Sequence, residues 1–443
     1  MSVSGSSDVM DPREEEQLPP DPTVLPSESE WDTDLDTDSR KHSLFSDEQY
    51  LHACRWAGSI PVSFFLSHQG EADLNLNHYG VGPLGAKALG WILQNDQIIT
   101  NLELEDNALQ AEGTYHLMEM LQTNITIQNL NLSNNQLRLE GADLVSKMIS
   151  DNCIIRSIKL SGNGFDDTAA EYFADAFERN DIIRELDLSH NKISATGGQH
   201  LGNMLVTNIG LEVLNLSWNH LCMGSAVALS AGLKVNSTLK QLQLSRNGFG
   251  RIEAESLGQA LKQNGTLVLL DLSRNLIDNK AVDLLCKGLV TNDALKVLKL
   301  SHNPLTNIGA LSLLRTVTKN TSSAIEDMDI STVFVCETFV ELLEEVCQRR
   351  PGLVIRHSVM HSVTRNISAL RDFQKFLQGR NESIMDFFQA LDKERTMKVP
   401  TVAFRQAVKE ANAPLDQRQL EWLIKKFDQN CKFTIAYSQL ADL

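Results

Sequence analysis

From about residue 72 the chain repeats one arrangement of apolar and polar positions every 28 residues. The frame is Leu-x-Leu-x-x-Asn-x-(Leu/Ile/Phe). Leu130, Leu132, Asn135 and Leu137 make one copy, Leu186, Leu188, Asn191 and Ile193 another, and Leu270, Leu272, Asn275 and Ile277 a third. Its asparagines are Asn107, Asn135, Asn163, Asn191, Asn219, Asn247, Asn275 and Asn303. A second ladder with the same step runs Asn124, Asn152, Asn180, Asn208, Asn236, Asn264, Asn292 and Asn320. Leu-x-Leu has period 2 and predicts a short strand whose leucines share one face. Between the ladders, Leu117, Val145, Phe173, Leu201, Leu229, Leu257, Leu285 and Leu313 are each followed four residues later by Leu121, Ile149, Phe177, Leu205, Leu233, Leu261, Leu289 and Val317. That spacing predicts the buried face of a helix.

Each unit is therefore one strand and one helix, with neighbouring strands parallel and right-handed crossovers. Strands stack at ~4.8 Å while helices need ~8–10 Å, so such a stack should curve with the sheet on its inner side. Gly113, Gly141, Gly197 and Gly309 near the helix starts are expected where chain and sheet come close. The framework asparagines are expected to satisfy backbone groups where the chain leaves the strand. The ends are degraded as caps should be. Tyr79 stands where Asn is expected, and Met328, Ile330 and Val333 follow a two-residue slip. A helix near Glu337–Gln348 and a strand near Leu353–Val359 should close the array, giving about eleven strands. Tyr50, Cys54, Trp56, Phe64, Phe65 and Leu66 suggest an N-terminal cap.

The pattern over residues 72–360 resembles the leucine-rich repeat, in the ribonuclease-inhibitor-type subclass by length and spacing. The resemblance implies a curved α/β solenoid with a parallel sheet on its concave face. Ribonuclease inhibitors proper are cysteine-rich, and the cysteines here number 7.

Residues beyond the repeats follow a different plan. Asp392 and Asp428 each follow an amphipathic helix, predicted over Ile384–Leu391 and Gln417–Phe427. As twelve-residue loops, both carry an apolar eighth residue, Val399 and Ile435. This resembles a pair of EF-hands, a small all-α unit, over about residues 367–443. The ligands depart from the pattern. Met397 and Phe433 replace the turn glycine, while Ala403 and Gln439 replace the closing Glu. Glu394 and Thr396 in the first loop, with Asn430 and Lys432 in the second, complete a set that falls short of the six or more oxygens calcium takes. An inactive structural pair is expected, with no metal, though its apolar helices could form a groove for a partner helix.

Composition narrows the function classes. Of a net charge of −17, residues 1–45 carry −9 and the repeats −11, while residues 361–443 carry +3. The first segment has no periodicity and is expected to be a disordered acidic tail. No basic face for nucleic acid, no membrane-length apolar run and no secretory h-region are present. Scattered cysteines without CxxC spacing fit a reducing compartment, so a cytoplasmic monomer is expected. The expected division is a tail at 1–45, a helical cap at 46–71, the solenoid at 72–362 and the helical unit at 363–443. GxxxxGK[ST], HExxH and GxSxG are absent, so no enzyme and no cofactor are expected. Gly248-Phe249-Gly250 reads as a repeat turn rather than a phosphate cradle. Asp166 and Asp167 read as caps of a helix starting at Thr168 rather than an acid–base pair.

Function should then lie where the framework leaves residues free. Between the strand leucines, Glu103, Asn131, Lys159, Asp187, Asn215, Gln243, Asp271 and Lys299 should face the concave side. Before each framework Asn comes a rim residue: Asp106, Asn134, Gly162, His190, Trp218, Arg246, Arg274 and His302. Trp218 with His190, Arg246 and Arg274 is the candidate hot spot, since Trp and Arg dominate such sites. The alternative is that Trp218 only covers its loop neighbours. His302, Asp187 and Asp271 complete the candidate partner-binding set.

In the tail, Ser29-Glu30-Trp31-Asp32 resembles tryptophan-acidic motifs that bind kinesin light chains, and Ser27 and Ser29 could be acidophilic kinase sites. A solvated acidic tail is the alternative. Repeats followed by a degenerate EF-hand pair resemble the leucine-rich repeat-containing protein 74 family. The expectation is a scaffold for an unidentified protein partner. The alternatives are a Ran-type GTPase-activating protein, whose acidic segment follows rather than precedes the repeats, and a calcium-responsive adaptor.

Overall fold

The computed structural model describes residues 46–222, 224–359, 361–428 and 433–440, with only the backbone described at 361–367 and 439. The acidic segment with Ser27, Ser29 and Trp31, the residues Asn430 and Lys432, and the Gln439 side chain lie outside the described residues.

The Leu-x-Leu segments form strands β1 (Asp73–Asn75), β2 (Asn101–Glu103), β3 (Asn129–Asn131) and β4 (Ser157–Lys159). They continue as β5 (Glu185–Asp187), β6 (Val213–Asn215), β7 (Gln241–Gln243), β8 (Leu269–Asp271) and β9 (Val297–Lys299). β10 (Asp327–Val335) and β11 (Val354–Val359) complete one 11-stranded parallel sheet in strict sequence order. Register advances by one repeat per strand, as Leu130 opposite Ile158 and Leu186 opposite Leu214 illustrate. Met328 lies opposite Leu298, where the slip lengthens the step. Most strands present one leucine to the core and its neighbours to the open face, with Ile158 in β4 and Met328 in β10 in its place, and Leu102, Leu130, Leu186 and Leu270 are at most 2% exposed.

Between strands run helices such as Gln110–Thr123, Arg138–Asp151 and Asp167–Arg179, burying the predicted i, i+4 stripe. Asp166 accepts from the Thr168 and Ala169 amides, so the helix begins one residue earlier than the sequence suggested. Asp167 instead reaches forward to Ser194 of the next repeat. Glycine placement also differs from expectation. Gly113 packs on Pro83 and Ala86 of the preceding helix, and Gly309 on Asn279, so the close approach is between helices rather than between chain and sheet. The tightest case is Gly288 in helix Asn279–Leu289, where a Cβ would land on the Gly258 carbonyl oxygen of helix Arg251–Leu261. Backbone cannot yield as a side-chain end does, so Gly288→Ala should cost about 1–3 kcal/mol, read by denaturant titration. Retention of wild-type stability would show that the helices can separate freely.

The two asparagine ladders fasten opposite ends of each repeat to its predecessor. Asn135 accepts at Oδ1 from the Asn107 amide at 2.9 Å and donates through Nδ2 to the Leu104 carbonyl at 2.8 Å. Asn180, where helix Asp167–Arg179 ends, donates to the Ile149 and Asn152 carbonyls at 2.7 and 2.9 Å. Its Oδ1 accepts from the Ile182 and Ile183 amides that lead into the next strand. Buried backbone at both bends is thereby paired.

At the N-terminal end, helices Asp47–Ala57 and Ser63–Ser67 bury Tyr50, Cys54 and Phe65 against the first repeat, and the Tyr50 hydroxyl accepts from the Val62 amide. After β11, helix His361–Gln378 leads into a second core. There, helices Ile384–Leu391, Thr401–Glu410 and Gln417–Phe427 surround Phe388, Phe404 and Phe427. Short antiparallel strands β12 (Lys398–Pro400) and β13 (Thr434–Ala436) pair Val399 with Ile435. This unit meets helix Glu337–Arg349 of the array through Trp422 Nε1 to Glu337 at 3.1 Å and Lys426 to Glu341 at 3.3 Å.

Candidate functional site

The rim residues share a backbone property. Asp106, Asn134, Gly162, His190, Trp218, Arg246, Arg274 and His302 all have φ between 54° and 69°, in the left-handed region. Gly, Asn and Asp occupy that region most readily, and they fill the first three of these positions. From His190 onward the row holds bulky side chains for which the conformation costs about 1–2 kcal/mol. Each is pinned by its own amide: Trp218 N–H donates to the Ser245 carbonyl at 2.7 Å, Arg246 to Ser273 at 3.0 Å and Arg274 to Ser301 at 2.9 Å. His302 donates instead to the Thr332 hydroxyl at 2.7 Å. Cross-repeat pairing therefore fixes the register of these side chains along the edge of the sheet.

The candidates from His190 to His302 follow one another along that edge. His190 stacks on Trp218 with ring centroids 4.7 Å apart and planes 19° from parallel. On the other side the Arg246 guanidinium carbon lies 4.0 Å from the Trp218 centroid. Trp218 is sandwiched yet still 37% exposed, and Arg274 in the next repeat is exposed. The covering role weighed for Trp218 is thus real, and it leaves an accessible ring. His302 is exposed one repeat further on.

Asp187 and Asp271 sit differently. Each carboxylate accepts from the amide two residues on, Ser189 at 2.8 Å and Ser273 at 2.9 Å, which caps the end of the strand. Asp187 also accepts from Asn215 at 3.0 Å, and Asp271 lies 3.9 Å from Lys299. At the N-terminal end, Asn131 and Lys159 approach Glu103, while His78 meets Asp106 at 3.0 Å. The open face of the sheet is therefore largely internally paired, as are Asp106 and Asn134 of the rim, whereas Trp218, Arg246 and Arg274 keep exposed surface.

The left-handed geometry was missed from sequence. Its signal was available in Asp106, Asn134 and Gly162 standing in register with Trp218.

In the second core, Met397 and Phe433 stand where a loop glycine would, and both keep the left-handed turn, with φ of 59° and 55°. Asp392 is already saturated: it accepts from Tyr437 Oη at 3.0 Å, Met397 N at 2.7 Å and Thr396 Oγ1 at 3.1 Å. Burial alone would raise its carboxyl, but the Thr396 amide together with these bonds outweighs it and holds the group below the usual carboxylate range. Ala369, Phe373 and Leu377 of helix His361–Gln378 fill the space among the other helices, with Phe373 edge-on to Phe387 and Phe404. The groove expected for a partner helix is thus occupied by the chain itself, because Ala369, Phe373 and Leu377 repeat at i, i+4 and carry that helix's apolar face inward.

On the helix side, a groove of about 320 Å³ between Gln110–Thr123 and Arg138–Asp151 is lined by Met118, Ile125, Leu144, Met148 and Cys153. Among the described residues no group of three or more His, Cys, Asp or Glu could hold a metal ion, and no helix is long and apolar enough to cross a membrane.

The sequence matches the family described as Leucine Rich repeat over residues 123–146, 180–202 and 292–314. It is 38% identical over 74 residues to leucine-rich repeat-containing protein 74B of Homo sapiens, covering 16% of this chain and 19% of that protein. It is 42% identical over 50 residues to the Mus musculus protein of the same name, covering 11% and 13%. The matched stretch thus spans about a fifth of the human relative. Among solved structures it is similar to leiomodin-1 actin-binding site 2, with a TM-score of 0.29, 19% identity and coverage of 32% of this chain and 86% of that one. The corresponding values for the tropomodulin C-terminal domain of Caenorhabditis elegans are 0.29, 14%, 33% and 92%. Taken with the asparagine ladders and the ordered parallel sheet, the repeat matches make the chain a leucine-rich-repeat protein, similar over a short stretch to leucine-rich repeat-containing protein 74B.

Proposed function

We propose that the protein is a non-catalytic interaction scaffold that engages a protein partner along the rim centred on Trp218. The observation that carries this reading is the sandwich of His190, Trp218 and Arg246 held in left-handed backbone. A framework needs only Gly, Asn or Asp at those positions, so bulky exposed side chains there have a cost that folding does not require. Aromatic and guanidinium groups on a rigid scaffold are also what dominate protein interfaces. The test is quantitative affinity capture with wild type and Trp218→Asn, with Ile125→Asn on the opposite edge as control.

In this reading the C-terminal unit is an EF-hand-like pair retained for structure. The Tyr437 hydroxyl and two backbone or side-chain donors occupy Asp392, the carboxylate that would open a calcium loop. Calorimetric titration with calcium should give no binding heat, and the thermal transition should be the same in calcium as in chelator. Saturable binding at micromolar calcium would overturn this and revive the calcium-responsive adaptor.

A further inference from the structure

We infer that the partner element recognised by the rim is an extended acidic segment of a protein, its carboxylates held by Arg246 and Arg274 beside the Trp218 stack. The inference rests on the rim reading above and specifies what the rim takes. Arg246 and Arg274 are exposed, and among the described residues neither has a carboxylate within ion-pair distance. Several other cations of the array are matched: Lys240 with Glu212 at 2.7 Å, Lys296 with Glu326 at 2.9 Å, Arg356 with Asp327 at 2.7 Å and Arg251 with Asp278. The Arg251 partner matters enough to hold the Asp278 carboxyl down at about 2. The carboxylates closest in register to the rim, Asp187 and Asp271, are turned to the strand-end amides, Asn215 and Lys299.

The chemistry of the row follows. A guanidinium stacked on an indole keeps its in-plane N–H fork free, and that fork matches a carboxylate with two parallel hydrogen bonds. Arg246 and Arg274 stand on adjacent repeats, so their backbones are set ~4.8 Å apart, and two carboxylates on one segment can be met together. Lys192, exposed two positions after His190, extends the cationic character toward that end of the row. From His190 to His302 the row crosses four strand intervals, ~19 Å, the length of about six extended residues. The stacked rings offer an apolar face to one side chain of that segment. A nucleic acid fits less well, because a phosphate backbone needs a continuous track of cations, and this row offers two arginines beside a sheet of mixed charge.

The test uses the full chain and a fluorescein-labelled peptide of about eight residues, the row's span with one residue added at each end, rich in Asp and Glu with one Phe. Fluorescence polarisation should show saturable binding, weakened about tenfold or more by Arg246→Gln with Arg274→Gln and by changing the acids to Gln and Asn. Arg246→Lys, which keeps charge but loses the fork, should fall between. Equal binding to the double variant, equal binding of the neutral peptide, or no binding overturns the inference. So does a single-stranded oligonucleotide that binds more tightly and displaces the peptide. If capture of native partners depends on Trp218 while the peptide ignores both arginines, the acidic-segment inference alone falls. If neither depends on the rim, the scaffold reading falls with it.

Discussion

Asn163→Ala should lose about 3–5 kcal/mol of stability, a third or more of a typical domain's margin. The amide of Asn163 makes bonds that no neighbour can take over. Its Oδ1 accepts from the buried Asn135 and Leu137 amides at 2.9 and 3.4 Å. Its Nδ2 donates to the Leu132, Leu160 and Ser161 carbonyls at 2.9, 3.1 and 3.3 Å. Alanine orphans two donors and at least one acceptor in a site 1% exposed, each at about 1–3 kcal/mol before relaxation. Because repeats couple mainly to their neighbours, the damage should concentrate on either side of β4. Denaturant titration gives the total, and hydrogen exchange should show protection lost first around residues 130–165. A loss below about 1 kcal/mol would mean that water fills the place of the amide. Asn163→Asp should also destabilise, since it keeps the acceptor but turns a carboxylate oxygen toward three carbonyls.

The second large effect is on binding and should exceed its cost in stability. Trp218→Asn removes stacking with His190 and Arg246, worth about 0.5–1.5 kcal/mol for each contact. It also relieves about 1 kcal/mol of left-handed strain, since Asn tolerates that conformation. The two terms partly offset, so unfolding should shift by about 0–2 kcal/mol. Binding has no such compensation: a central Trp hot spot contributes at least about 2 kcal/mol, or about thirtyfold in affinity. Native partners captured by wild type and by Ile125→Asn should therefore be lost with Trp218→Asn. Capture that falls only in proportion to unfolding would reduce Trp218 to a structural cover.

Much of the fold was legible because the repeat makes every residue type count several times over. One Leu-x-Leu is ambiguous; the same pair in register with Asn107 through Asn303 is not. The helices Ile384–Leu391 and Gln417–Phe427 follow the apolar pattern residue for residue. Features seen once were harder. Asp392 and Tyr437 are separated by 45 residues and share no periodicity, so nothing along the chain joins them. Ala369, Phe373 and Leu377 mark an apolar face on helix His361–Gln378, but a helical stripe does not say which core will receive it. At the rim, Trp and Arg hid a backbone conformation that Gly162 and Asn134 declare openly. Side-chain chemistry drew attention to the right residues, while the strain that argues for their use came only with the dihedral angles.

The one-rim-residue-per-repeat arrangement makes the binding edge a row of interchangeable slots. Residues 28 apart in sequence are adjacent in space, and every slot from Asp106 to Arg274 has the same backbone hand-off to the next. Excising residues 251–278 would leave both asparagine ladders in step, remove Arg274 and bring His302 up beside Arg246. The edge can thus be shortened, lengthened or reordered by whole repeats, so that its order of side chains is a text edited by cut and paste rather than by refolding.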